Sequence, residues 1–139
     1  MKICIVLSNF YPKISKKLLS GAVAELKKNK VTNYKIIHVP GTFEIPTVVS
    51  NYIKNFFGFI VLGCIIKGET PHFDYLSKSV TQAILNLSIQ SKKPITNGII
   101  TCFNKKQAVL RSDPRKKNKG GEAARAVLTL LEIFKNESK

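Results

Sequence analysis

Tryptophan is absent from the 139 residues of this sequence, which also contain only three cysteines and six prolines. The low proline content and a hydrophobic fraction of 44% argue against a disordered chain. Cys4, Cys64 and Cys102 lie in apolar, strand-like segments, without the CxxC or Cys/His spacing of a metal site. We therefore expect no bound metal, and three small buried thiols in a reducing compartment.

The sequence has no apolar stretch approaching the roughly 20 residues of a transmembrane helix. The longest apolar run, FGFIVLGCII at 57–66, has the length of a buried strand. Met1 is followed by the strand-like segment KICIVLS, which has neither the hydrophobic length nor the cleavage site of a secretory signal. We expect a cytoplasmic protein with no membrane partner.

Acidic residues are scarce: eight Asp and Glu stand against 23 Lys and Arg, a formal net charge of +15. Such a charge is compatible with a nucleic-acid partner, because phosphates attract basic surfaces. The lysines are spread along the chain, however, and aromatic residues do not alternate with them as in a stacking platform. We expect a solvated surface and no nucleic acid, with attraction of phosphorylated substrates as a secondary effect.

Strand-like and helix-like segments alternate along the chain. The strand patterns cover 2–8, 34–39, 57–66 and 94–102, and the helical patterns cover 14–29, 44–55, 71–90, 105–111 and the segment from about Gly121. This alternation predicts βαβ units and a parallel sheet covered by helices on both faces. We expect one three-layer, flavodoxin-like α/β domain over residues 1–139, with about four parallel strands.

The segment GCIIKGETPHFDYL, residues 63–76, is the most informative about function. A strand pattern ends there in the charged turn KGET, and a helical pattern follows. Pro71 is favoured at the first helical position, with Thr70 as N-cap, so the backbone N–H groups of this turn would form an anion site. His72, at the same helix start, is a candidate general acid or base; an exposed polar side chain is the common alternative.

Three other segments follow strand patterns or open helices in the same way. They are SNF at 8–10, VPGTFEIP at 39–46 and NKGGEAA at 118–124. Each motif alone is weak, but the four together, in this order and at this spacing, strongly resemble the 6,7-dimethyl-8-ribityllumazine synthase family. The resemblance extends over essentially the whole chain.

The resemblance implies an enzyme of riboflavin biosynthesis that acts on two small molecules. It would condense 5-amino-6-(D-ribitylamino)uracil with 3,4-dihydroxy-2-butanone 4-phosphate, releasing phosphate and water and giving the lumazine in the penultimate step. Schiff-base formation, phosphate elimination and ring closure move protons but require neither redox chemistry nor a metal. We therefore expect no cofactor, and catalysis by positioning with the help of one acid–base residue.

The resemblance also implies roles for individual residues. His72 corresponds to the family's acid–base histidine, and Phe10 to the aromatic residue that lies against the uracil-derived ring. Glu44 corresponds to a carboxylate that holds ribityl hydroxyls, and Arg111 to a phosphate-binding arginine. The other positions that match substrate-binding residues are Thr42, Phe43, Cys64, Ile65, Ile66, Glu69, Thr70, Asn97 and Lys119.

Each of these positions also has a purely structural interpretation. Phe10 could be an ordinary loop residue, Glu44 a helix-start charge and Arg111 a surface cation. Residues 64–66 could be core, in which case only their backbone groups would bind substrate. Glu69 is expected to turn its carboxylate away from the phosphate and to offer its N–H.

The resemblance further implies a homo-oligomer in which neighbouring chains share each site. His72, Phe10 and Glu44 would come from one chain, and Asn97 and Arg111 from the next around a five-membered ring. A sixty-subunit shell is the larger alternative, although the family's strand before the first sheet strand is missing here. Asn97 occupies a position often filled by phenylalanine, so ring stacking is not expected there.

Two other functions compete with the enzyme. The first is a basic α/β nucleotide- or RNA-binding module without catalysis, whose affinity would fall steeply with added salt. The second is a degenerate family member kept as a shell or scaffold. The intact residues His72, Phe10, Glu44 and Arg111 argue against the second.

Overall fold

The computed structural model describes residues 2–137, so Met1, Ser138 and Lys139 of the expected domain lie outside the described residues. The strands are β1 (Ile3–Ser8), β2 (Tyr34–Val39), β3 (Gly58–Ile66) and β4 (Ile95–Cys102). The helices are α1 (Pro12–Lys28), α2 (Ile45–Asn51), α3 (His72–Ser91), α4 (Lys105–Ser112) and α5 (Lys119–Glu137), with a 3-10 turn at Thr42–Glu44. Every predicted element is present, and most ends shift by one or two residues.

The four strands form one parallel sheet in the order β2-β1-β3-β4. The chain moves outward from β1 to β2 and then returns to the other side of β1 for β3. Between β1 and β3 the strand order therefore reverses, which is where parallel α/β sheets bind ligands beyond the strands' carboxyl ends. The predicted flavodoxin-like fold with four parallel strands is confirmed.

Alternating side chains of the buried strands feed two separate cores. On β1, Ile3, Ile5 and Leu7 pack into the core beneath α1 and α5. Cys4 and Val6 point the opposite way, into the core beneath α2 and α3. The sheet is thus the middle of three layers, as predicted.

The helix predicted over 44–55 is wrong in extent. A 3-10 turn precedes it, and α2 ends at Asn51. Thr47, Val48 and Val49 are β-branched and are followed by Ser50, all residues of modest helix propensity, so the helix is short. Pro46 lies in the first turn of α2, as predicted.

The last helix begins earlier than predicted. The sequence indicated a glycine-rich turn and a helix from about Gly121, whereas α5 begins at Lys119 and contains both glycines. Gly120 is buried against α1, where an added Cβ would overlap the backbone carbonyl of Leu18. The glycine pair therefore allows α5 to approach α1 closely.

Candidate active site

A cleft of about 460 Å³ lies beyond the carboxyl ends of β1, β2 and β3, at the point where the strand order reverses. It brings together nine of the thirteen predicted site residues: Phe10, Thr42, Phe43, Glu44, Cys64, Ile65, Ile66, Thr70 and His72. Tyr11, Pro40, Gly41, Gly68, Phe73 and Leu76 complete the lining. Three of the four predicted motifs thus meet at one end of the sheet.

Phe10 forms one wall of the cleft mouth, with 67% of its surface exposed. Its ring makes an edge contact with Tyr11, with 5.0 Å between the ring centroids. The backbone N–H of Asn9 donates to Val39 O at 3.0 Å, which ties the loop after β1 to the end of β2. A large aromatic surface is therefore held open to solvent beside the cleft, where a planar ring can stack on it.

The turn after β2 forms the opposite wall. Thr42 is buried, whereas Phe43 is exposed and Glu44 lies at the N-terminal end of α2. Gly63 on β3 permits this packing, because a Cβ there would lie 2.9 Å from Thr42 Cγ2. A carboxylate is favoured at a helix N-terminus, and Glu44 also lines the cleft, so both interpretations of this residue are compatible with its place.

His72 is the first residue of α3, and its exposed side chain lines the cleft together with Leu76 one turn later. The predicted cap is wrong: Pro71, not Thr70, occupies the N-cap position, because its ψ of 1° lies outside the helical range. Thr70 Oγ1 still accepts a long hydrogen bond of 3.4 Å from His72 N. Glu69 is exposed and lies outside the cleft lining.

The thiols are unsuited to nucleophilic chemistry. Burial raises the pKa of Cys4 to about 11 and that of Cys64 to about 12; the neighbouring Cys102 thiol contributes to the second shift. Burial also raises the pKa of Cys102, against the opposing effect of Arg111. All three cysteines are free, buried and in their thiol form at neutral pH, as the sequence predicted for their burial.

The remaining predicted residues, Asn97, Arg111 and Lys119, line a second pocket of about 280 Å³ along the open edge of β4. This pocket is distinct from the cleft that contains His72: the two share no lining residue. A single chain therefore separates the predicted acid–base residue from the predicted phosphate ligands.

Two side chains of the second pocket form hydrogen bonds with backbone groups at the open edge of β4. Cys102 O accepts from the N–H of Lys67, the residue after β3, so the alternate residues Ile99 and Thr101 direct their backbone groups outward. Asn97 Oδ1 accepts from Ile99 N at 2.9 Å, and Arg111 Nη1 donates to Thr101 O at 2.8 Å. The polar edge of β4 is thus partly covered by its own side chains.

Basic side chains near the second pocket lie on α4, on α5 and in the loop between them. Asp113 Oδ1 accepts from Arg115 N at 2.9 Å, and this hydrogen bond, with the Arg115 side chain, lowers the pKa of Asp113. Lys119 Nζ lies 3.2 Å from Glu122 Oε2, so its charge is partly neutralised. Arg111 differs, because its hydrogen bonds go to a carbonyl and a thiol rather than to a carboxylate.

Sequence reasoning missed several lining residues. No feature of the sequence distinguishes Tyr11, next to Phe10, from the other tyrosines. Leu76 could have been found from helical spacing, since it lies one turn after His72 on α3. Glu122 follows a similar rule, because it lies three residues after Lys119 on α5.

Two further observations concern metal ions and membranes. Among residues 2–137, no group of three or more His, Cys, Asp or Glu side chains is placed to hold a metal ion. No helix in that range is long and apolar enough to cross a membrane.

The fold and cleft define a class: a three-layer α/β protein with a cleft at the switch point of a parallel sheet, lined by an aromatic ring, a carboxylate and an imidazole. The family model of 6,7-dimethyl-8-ribityllumazine synthase matches residues 1–135. The chain belongs to this family, as its motifs predicted.

Individual relatives agree over nearly their full lengths. The 6,7-dimethyl-8-ribityllumazine synthase of Bartonella henselae is 41% identical over 139 residues, covering 97% of this chain and 89% of the relative. The 6,7-dimethyl-8-ribityllumazine synthase 1 of Rhodopseudomonas palustris is 41% identical, covering 99% and 88%. That of Limosilactobacillus reuteri is 36% identical, covering 95% and 88%. These relatives support the enzyme and lend nothing to the binding-module alternative.

Proposed function

We propose that the protein is a 6,7-dimethyl-8-ribityllumazine synthase. It condenses 5-amino-6-(D-ribitylamino)uracil with 3,4-dihydroxy-2-butanone 4-phosphate and releases phosphate and water, the penultimate step of riboflavin biosynthesis. Family membership supports this activity. The observation that carries it in the structure is the cleft in which Phe10, Glu44 and His72 meet at the end of the sheet.

The cleft offers each substrate a matching surface. The exposed ring of Phe10 stacks on the pyrimidine, and the Glu44 carboxylate accepts hydrogen bonds from ribityl hydroxyls. Backbone groups of residues 64–66 bind the pyrimidine edge. The loop from Gly68 to Thr70, including Glu69 through its N–H, contacts the phosphorylated substrate beside the N-terminus of α3.

His72 acts as the acid–base residue. The amine of the pyrimidine attacks the ketone, and water leaves to give the Schiff base. A C–H proton is then removed as the C–O bond to phosphate breaks, and the enol that forms tautomerises to a new carbonyl. The ribitylamino nitrogen attacks this carbonyl and closes the ring with loss of another water. An imidazole in the cleft wall can accept and return protons in these steps.

In this proposal the basic side chains that bind the phosphate come from a neighbouring chain. Arg111, Lys119 and Asn97 line the second pocket, away from the chain's own His72. A head-to-tail ring that seats the second pocket of one chain against the cleft of the next would complete each site. We propose a pentamer, with a sixty-subunit shell as the larger assembly, and exposed apolar residues such as Phe43, Tyr75 and Phe103 support an interface.

We further propose that residues 1–139 form one catalytic domain that works in the cytoplasm. The three buried, free thiols support a reducing compartment.

Incubating the purified protein with both substrates and following lumazine absorbance tests the activity. We expect lumazine and inorganic phosphate to appear in equal amounts. Native mass spectrometry of the same sample tests the ring. Absence of lumazine at saturating substrate concentrations, in a protein shown to be folded, would contradict the proposal.

A further inference from the structure

The orientation of Arg111 is set by the end of β4. Arg111 lies near the C-terminal end of α4, and its side chain reaches across to the strand. Its Nη1 atom donates to Thr101 O at 2.8 Å and also lies 3.9 Å from Cys102 Sγ. Two consecutive strand residues therefore hold one nitrogen of the guanidinium.

We propose that Cys102 is a positioning residue, whose thiol fixes the plane in which Arg111 presents its guanidinium to the phosphate of the substrate. This inference rests on the proposed function, because it takes Arg111 as the phosphate ligand. A single hydrogen bond to Thr101 O would leave the guanidinium free to rotate about the N···O direction. The second contact, to sulfur, restricts that rotation and leaves Nε and Nη2 for an anion.

The position of the sulfur is itself well defined. Cys102 is 1% exposed and packs in the same core as Cys64, which lines the cleft. Its backbone is fixed by the hydrogen bond from Lys67 N. Restricting the plane matters because a guanidinium binds phosphate through two parallel N–H groups, a geometry that tolerates little rotation.

A neutral thiol suits this task better than a carboxylate would. Burial raises the pKa of Cys102, so the side chain facing Arg111 is uncharged at neutral pH. A thiol is a weak acceptor and orients the guanidinium without neutralising it. Lys119, in contrast, lies 3.2 Å from the Glu122 carboxylate in the same pocket. Arg111 therefore retains the charge that a phosphate requires.

The test compares Cys102→Ala and Cys102→Ser in the assembled protein, with Cys4→Ala as the matched control. Cys4 is equally buried but faces the opposite core. We expect Cys102→Ala to raise the KM for the butanone phosphate and the dissociation constant of inorganic phosphate about threefold to tenfold. The KM for the pyrimidine should stay within about twofold, and so should every constant of Cys4→Ala.

The serine variant separates positioning from packing. Serine is smaller than cysteine but keeps an acceptor, so Cys102→Ser should restore phosphate affinity to within about twofold of the wild type. Equal weakening toward both substrates, or no rescue by serine, would show a purely structural role and overturn the proposal. If the alanine variant does not fold, Cys102→Val and Cys102→Thr provide the same comparison, because threonine has a hydroxyl group where valine has a methyl group.

Direct binding keeps this inference separable from the proposed function. Inorganic phosphate can be titrated calorimetrically without turnover. If the wild type makes no lumazine but its phosphate affinity still falls in Arg111→Ala and Cys102→Ala, the proposed function fails and the positioning role stands. If lumazine forms and Cys102→Ala binds phosphate like the wild type, only the positioning role is wrong.

Discussion

At the residue scale, the buried thiols make the stability of the fold depend on pH. The pKa of Cys4 is about 11 and that of Cys64 about 12 in the folded chain, against an ordinary value of 9.0. Above that ordinary value the unfolded chain releases protons that the folded chain retains. The thiols thus favour the folded state fully below pH 9, and this contribution is lost as the pH rises toward their folded pKa values.

We expect the free energy of unfolding to fall between about pH 9 and pH 11, and to fall less steeply in Cys4→Ala. Urea unfolding at several pH values measures both slopes. Lysine and tyrosine titration is common to the two proteins, so only the difference between their slopes reports Cys4. Parallel pH dependences would show that burial does not raise this pKa.

His72 and His38 provide a matched pair of histidine variants. Replacing His72 with alanine should slow lumazine formation at saturating substrates by about 10- to 1,000-fold, because a general acid–base residue is lost while positioning remains. His38 is exposed on β2, outside the cleft, with its Nδ1 3.2 Å from Asn9 Oδ1. His38→Ala should therefore retain activity within about twofold. An unchanged rate in His72→Ala would remove its catalytic role.

Residue types in motifs made part of the cleft predictable. His72 and Glu44 stand at helix starts after strands, and the parallel topology then forces them to one edge of the sheet. The predicted N-cap at Thr70 is wrong because the ψ angle of Pro71 is not helical, a backbone detail that residue type does not determine. Tyr11 was missed because only three-dimensional proximity distinguishes it from other tyrosines.

At the element scale, short runs rich in apolar and β-branched residues predicted every strand to within one residue. The signal is strongest for β1 and β3, which are buried on both faces. Helix ends were less predictable. The prediction over 44–55 failed since β-branched residues weaken α2, and α5 begins at Lys119 because Gly120 is needed inside the helix for contact with α1. Local helix propensity decided the first end, and tertiary packing decided the second.

Gly120→Ala should lower the free energy of unfolding by about 1–3 kcal/mol, because the new methyl group overlaps the Leu18 carbonyl and pushes α5 from α1. Gly68→Ala is the stability control, since a Cβ at that position meets nothing within 4 Å. Urea titrations of the two variants give the comparison. Equal stabilities would mean that α5 shifts at no cost.

At the scale of the whole molecule, the predicted site residues are divided between two separate pockets of the chain. The cleft contains His72 and lacks a strongly basic side chain, whereas the second pocket contains Arg111 and lacks an acid–base histidine. Both residues were predicted from the resemblance to the family. Their division between two chains was expected from resemblance alone, and it stays a proposal.

Mixing His72→Ala and Arg111→Ala chains tests that division. If both are denatured together and reassembled, about one site in four should combine an intact cleft with an intact second pocket in a random ring. Activity should then rise well above that of either variant alone. Mixed rings identified by native mass spectrometry, yet no more active than the single variants, would contradict a shared site.

The hydrogen bonds at the edge of β4 also concern the aggregation of a chain that has not yet assembled. Before it meets its partners, this chain exposes a strand whose outward backbone groups could pair with any other extended segment and begin a fibril. Asn97 covers the Ile99 amide and Arg111 covers the Thr101 carbonyl during that interval. The arginine that is proposed to bind a phosphate thus also leaves one fewer backbone carbonyl at this edge with which another strand could pair.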